Sequence, residues 1–162
     1  MATRMKEEMT QIERALIAAK LSAHAYKTEA QAKNATKKMG FPWCKLISKD
    51  GAECLVVKDR NDLWFAFRGT EPSKLNDVMA DLNVIKGAAK AGGKVHSGFQ
   101  QEVNDLWMDI LAEIEHNDQL KVRKDVYMTG HSLGAAMATI SATIYQPTEL
   151  FTFGSPRVGG TK

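Results

Sequence analysis

Apolar residues recur along this chain in two rhythms that take turns. Met9, Ile12, Leu16 and Ala19 fall at helical spacing and predict an opening helix from Met5 to about Tyr26. Gly40-Phe41-Pro42 ends the polar stretch that follows. Three short runs then read as strands, Cys44 to Ser48, Glu53 to Lys58 and Leu63 to Arg68. Asp50-Gly51 is the composition of a two-residue hairpin turn, and it sets a register that pairs Ile47 with Cys54 and Cys44 with Val57. The third run, LWFAFRGT, is almost continuously apolar until Arg68-Gly69-Thr70, so a buried strand delivers a glycine and a hydroxyl residue to one edge of a sheet.

The helical rhythm returns at Leu75, Val78, Met79 and Leu82, a short amphipathic helix, and again in VHSGFQQEVNDLWMDILAEIEH. There Ser97 with Gln100 fits a capping box, and Phe99, Val103, Leu106, Trp107, Ile110, Leu111 and Ile114 form one apolar stripe. KDVYMTG reads as a short buried strand, LGAAMATISATIY as a helix whose early turns are small, and Leu150 to Phe153 as a last strand. Strands alternating with helices imply a single α/β domain with a mostly parallel sheet flanked by helices.

Composition narrows the function classes. At 162 residues, 44% hydrophobic and 25% charged, the chain suits one globular core. A net charge of +3 is too small and too dispersed to argue for nucleic acid, although basic residues outnumber acidic ones in the first 50 positions. No apolar run approaches the ~20 residues of a membrane span. The best secretory candidate, Ala15 to Ala25, is broken by Lys20, so a cytoplasmic location is the default expectation. In the hairpin register Cys44 and Cys54 point to opposite faces of the sheet, which disfavours a disulfide and is compatible with a reducing compartment.

The chemistry centres on Gly130, His131, Ser132, Leu133 and Gly134, a G-x-S-x-G pattern between a buried strand and a small-residue helix. A tight turn there would expose the Ser132 hydroxyl and aim the Leu133 amide at an oxyanion, with Thr70 placed to add a second donor from the neighbouring strand end. GSPRVGGT, from Gly154, nearly fits a phosphate loop, but Gly160 stands at the lysine position and no helix follows, which argues against a nucleotide. No metal-ligating cluster is visible, and acyl transfer of this kind needs no cofactor.

FAFRGT, ADL, VHSGF, TGHSLGAAMA and TFGSPRVG, together with SAHAY in the first helix, occur in the order and at roughly the spacing of the class 3 lipases, and the chain resembles that family of α/β-hydrolases. The resemblance implies a serine-dependent carboxylic ester hydrolase acting on lipid esters at a lipid-water interface. It implies Ser132 as nucleophile, the Thr70 and Leu133 amides as oxyanion hole, and a lid carrying Leu75, Val78, Met79 and Leu82. Asp81 and His96 would be structural supports. Two departures stand out. Ala135 replaces a usual glycine, and after Ser132 there is no histidine and one acid, Glu149, whereas the family places its Asp and then its His beyond the GSPRVG block.

Among the histidines, His131 adjoins the nucleophile on a sharp turn and reads as packing, His24 and His116 as helix residues, and His96 as a weak surrogate base. The competing reading is therefore a shortened, weakly active or inactive relative that serves as an interaction module or needs a second chain to complete its triad. Self-association through an exposed edge of the sheet belongs to that expectation.

Overall fold

The structure, a computed structural model, describes residues 9–69, 72–74, 76 and 94–156. The described elements are α1 (Gln11–His24), α2 (Glu29–Lys38), β1 (Trp43–Lys49), β2 (Ala52–Lys58), β3 (Asp62–Phe67), a single 3-10 turn at Pro72–Lys74, α3 (Lys94–His116), α4 (Asp118–Lys121), β4 (Asp125–His131), α5 (Leu133–Ile144) and β5 (Glu149–Phe153). No helix among the described residues is long and apolar enough to cross a membrane.

The five strands form one sheet in the order β1-β2-β3-β4-β5. It is mixed. β1-β2 and β2-β3 are antiparallel, and the parallel character expected of the sheet belongs to β3-β4 and β4-β5, the half that ends at the glycine-flanked serine. The hairpin forms as its turn chemistry requires, with Asp50 and Gly51 both at positive φ (50° and 90°) and with Cys44 opposite Val57 and Ile47 opposite Cys54. Both cysteines are free and buried, Cys54 in the core on one face of the sheet and Cys44 in the core on the other.

Those two cores make a three-layer molecule. On one face Val103, Leu106, Trp107 and Ile110 of α3, with Met137 and Ala138 of α5, pack on Val56, Phe65, Phe67 and Met128. On the other, Ala18, Leu21 and Ala25 from α1 and the segment just after it, with Ala32 of α2, cover Leu55, Val57, Trp64, Ala66 and Tyr127. Every residue of β3 is buried, as expected for a central strand covered on both sides.

Two helices differ from expectation. The first begins at Gln11, where Thr10 and Glu13 form a reciprocal capping box, and it does not bury the predicted stripe. Ile12 and Leu16 are 82% and 55% exposed, while Ala18, Leu21 and Ser22 face the sheet. Around Leu21 that face is small, and Ser22 on it bonds to Thr129 of β4 at 2.8 Å, a contact that needs the helix close to the strand. α3 starts at Lys94, so Ser97 is an interior helical position and not the N-cap, since nothing between Lys94 and Ser97 breaks a helix. Of its expected stripe, Val103, Leu106, Trp107, Ile110 and Ile114 are buried, Leu111 departs from it at 40% exposure, and the side chain of Phe99 lies outside the described residues.

Candidate active site

The parallel registers bring three strand ends to one edge. Phe67 of β3 lies opposite Gly130 of β4, and His131 of β4 opposite Phe153 of β5. Arg68-Gly69, His131-Ser132 and the chain after Phe153 therefore leave the sheet side by side at the carboxyl ends of the strands, where open α/β sheets bind ligands.

Ser132 is the hinge between β4 and α5. Its backbone sits at φ 57°, ψ −124°, a conformation of the kind that glycine dominates at the first central position of a type II′ turn. The Ser132 N–H donates to the Phe153 carbonyl at 2.9 Å, its carbonyl accepts from Ala135 N–H at 3.0 Å, and its side chain makes no capping bond to the helix it starts. The residue is 6% exposed. Leu133 is the first residue of α5, so its amide is one of the first-turn donors that helix geometry leaves without an intrahelical partner.

The flanking glycines are required by close approach. A Cβ on Gly130 would lie 2.2 Å from the Gly134 carbonyl oxygen, and one on Gly134 would lie 2.2 Å from the Phe67 carbonyl oxygen and 2.9 Å from the Gly69 nitrogen. The exit of β3 thus runs directly over the first turn of α5. The expected trio of small residues on that helix is buried as a unit, Gly134, Ala135 and Ala138, and Ala135 is accommodated at 0% exposure.

Strain at Ser132 gives a first expected result. Glycine at this position relieves a left-handed conformation that costs an ordinary residue about 1–2 kcal/mol. Ser132→Gly should therefore raise the melting temperature by roughly 2–8 °C in a chain of this size, while Ser132→Ala should leave it nearly unchanged. Thermal denaturation of the two variants side by side checks it.

The structure brings together Gly130, His131, Ser132, Leu133 and Gly134, with Gly69 against them. Thr70, Leu75, Val78, Met79, Asp81 and Leu82 lie outside the described residues, and His96 is placed only as part of the backbone of α3. Of the other histidines, His131 turns its ring toward α1, with Nδ1 2.9 Å from the Tyr26 hydroxyl. His24 is partly buried on α1, where desolvation first and the nearby Lys27 and Lys20 second hold its imidazole below the usual range. His116 is exposed at the end of α3, with Nδ1 2.7 Å from the Ala112 carbonyl. Among the described residues no group of three His, Cys, Asp or Glu side chains is placed to hold a metal ion.

Glu149 opens β5 opposite Tyr127, four residues before the Phe153-His131 pair and hence on the order of 13 Å from the turn. Its carboxylate pairs instead with Arg14 of α1 at 2.6 Å, both side chains about a quarter exposed or less. Glu149→Gln should cost about 1–2 kcal/mol, a value reduced for that residual exposure, and lower the melting temperature by a few degrees. Reactivity at Ser132 should not change, and a loss of reactivity without a loss of stability would contradict this placement.

Sequence reasoning missed Tyr26 as a neighbour of the turn. The signal was present in SAHAY, whose Ser22, in the last turn of α1, and Tyr26, just past its end, meet Thr129 and His131, two apart on one strand face.

Comparisons with known proteins bear on the family and the fold. A sequence profile described as Lipase (class 3) matches residues 64–162. A lipase of Rhizomucor miehei is 30% identical over 128 residues, covering 72% of this chain and 35% of that protein. Phospholipase A1-II 1 of Oryza sativa subsp. indica is 30% identical over 146 residues, covering 72% and 37%. The crystal structure of a lipase from Rhizopus microsporus var. chinensis superposes with a TM-score of 0.60 at 24% identity, over 96% of this chain and 60% of that one. The chain spans about a third of the length of the curated relatives it matches.

Proposed function

The chain belongs to the class 3 lipase family, and on that premise we propose that it forms the nucleophile-bearing part of a hydrolase of lipid carboxylic esters, acting through an acyl-enzyme on Ser132. The observation that carries the reading is the backbone of Ser132, held at φ 57° between a buried strand and a helix N-terminus. Residues held in such conformations persist where surrounding structure over-determines them, and they cluster at functional sites.

In this reading the Ser132 hydroxyl attacks the ester carbonyl and the Leu133 amide donates to the oxygen that becomes negative. Thr70, one residue beyond Gly69, is proposed as the second donor, because Gly69 abuts the turn: a Cβ there would lie 2.5 Å from the His131 carbonyl oxygen and 3.2 Å from the Gly134 nitrogen. The proton acceptor for Ser132 is proposed to come from outside residues 133–162, which hold no histidine and whose one acid, Glu149, lies at the far end of β5.

The names of the relatives suggest acyl esters of glycerides and phospholipids as the substrate class. Leu75, Val78, Met79 and Leu82 keep their proposed role as an apolar lid, and Asp81 and His96 theirs as supports. Rates on one glyceride ester, measured below and above its solubility limit, test the lipid reading. A jump when the emulsion forms supports it, and equal rates per dissolved molecule favour soluble esters.

The distance of Glu149 from the turn also favours a second reading, in which another chain completes the site or the molecule serves as an interaction module. β5 pairs with β4 alone in the described sheet and leaves Leu150 37% exposed, which makes its outer side the proposed place for that chain.

A further inference from the structure

The Tyr26 hydroxyl stands where three parts of the molecule meet. It lies 2.9 Å from His131 Nδ1 and 3.4 Å from the His131 carbonyl oxygen, and a Cβ on Gly69 would come within 2.5 Å of it. One segment is α1 and its C-terminal extension, the second is the strand leading into Ser132, and the third is the exit of β3 toward Thr70. Four residues earlier, the Ser22 hydroxyl bonds to Thr129 Oγ1 at 2.8 Å, so the last turn of α1 is docked on β4 just ahead of Tyr26.

A hydroxyl has one proton, so it cannot donate to Nδ1 and to the carbonyl at the same time. Both contacts are satisfied together in one arrangement only: Nδ1–H donates to the tyrosine oxygen, and the tyrosine O–H donates to the His131 carbonyl. The carbonyl belongs to the peptide unit whose N–H is that of Ser132, and this N–H donates to Phe153 at 2.9 Å. The peptide unit is then held at both ends, one by Tyr26 and one by β5.

We infer that Tyr26 is a positioning residue for the nucleophile turn, fixing His131 as its Nδ1–H tautomer and pinning the 131–132 peptide against the Gly69 strand exit. Among the described residues it acts through His131 and Gly69. The inference deepens the reading of Ser132 as nucleophile and rests on it for its functional consequence. Without the hydroxyl, the strained φ of Ser132 loses one of the restraints that hold it, and the alignment of the serine with its oxyanion donors loosens.

The experiment compares the 162-residue chain with Tyr26→Phe and with Ser22→Ala. Ser22→Ala removes the neighbouring buried hydrogen bond between α1 and β4 and is the control for a merely structural effect. Imidazole ¹⁵N spectra should show neutral His131 in the Nδ1–H form in the parent chain and a shift toward a mixture in Tyr26→Phe. The rate at which a fluorophosphonate labels Ser132 should fall about tenfold in Tyr26→Phe, the worth of one hydrogen bond, and stay within about twofold in Ser22→Ala at matched folded fraction.

An Nε2–H tautomer in the parent chain would overturn the inference. So would parent-like labelling in Tyr26→Phe, or equal slowing in both variants. If the parent chain takes no label, the nucleophile reading of Ser132 is what fails, and the tautomer spectra alone decide whether Tyr26 clamps the turn.

Discussion

Gly130→Ala is expected to lower the melting temperature by on the order of 10 °C and to remove reactivity at Ser132. The added methyl would lie 2.2 Å from the Gly134 oxygen, 2.3 Å from the Gly134 carbonyl carbon and 2.6 Å from the Ala135 nitrogen. All three are backbone atoms of the first turn of α5, so no side chain can swing aside. Relief requires α5 to move away from β4, which also gives up the close approach of Gly134 to the Phe67 carbonyl. Overpacking of that kind costs about 3–5 kcal/mol, at the severe end for single substitutions, and each kcal/mol is worth about 2–4 °C at this size. Gly40→Ala serves as the comparison, since a Cβ there meets nothing within 4 Å and the cost is confined to its positive φ of 95°. Calorimetry on the two variants separates crowding from backbone strain, and similar losses in both would contradict the packing account.

Ser132→Ala is expected to reduce ester turnover by about a thousandfold or more while leaving the fold intact. The substitution keeps Cβ and hence the strained backbone, so stability should hardly change. The proposed oxyanion donors also remain, which is why some acceleration over water is expected to survive and why weak esterase activity alone would not identify the nucleophile. Paired measurements of turnover and melting temperature check the prediction. Turnover within about tenfold of the parent would place the reaction on another group, since removal of a working nucleophile is never that mild.

Much of this architecture was legible in the chain because its signals are local. Asp50-Gly51 dictates a hairpin whose register follows from the turn alone, and the structure pairs Cys44 with Val57 accordingly. The serine turn was legible because close approach demands glycine at fixed offsets on both sides of one residue, between a strand period and a helix period. What the chain concealed depends on contacts between distant segments. The core face of α1 is built from Ala18, Leu21 and Ser22 and continues at its C-cap Ala25, and apart from Leu21 these small or hydroxyl residues carry little hydrophobic signal. Ile12 and Leu16 carry a strong one and point away from the sheet. The deciding interactions were Ser22 with Thr129 and Tyr26 with His131, more than 100 residues apart in sequence. Glu149 was likewise ambiguous as a lone acid after Ser132 until the register of β5 placed it at the far end of that strand, paired with Arg14.

The central claim is that Ser132 is held as an activated nucleophile. It is tested most directly by treating mass-verified 162-residue chain with a fluorophosphonate probe and locating the adduct by peptide mass spectrometry, with Ser132→Ala in parallel. The account predicts one adduct, on the peptide that contains Ser132, absent from the variant. A folded parent chain that takes no label, or an adduct that persists when Ser132 is alanine, would contradict it.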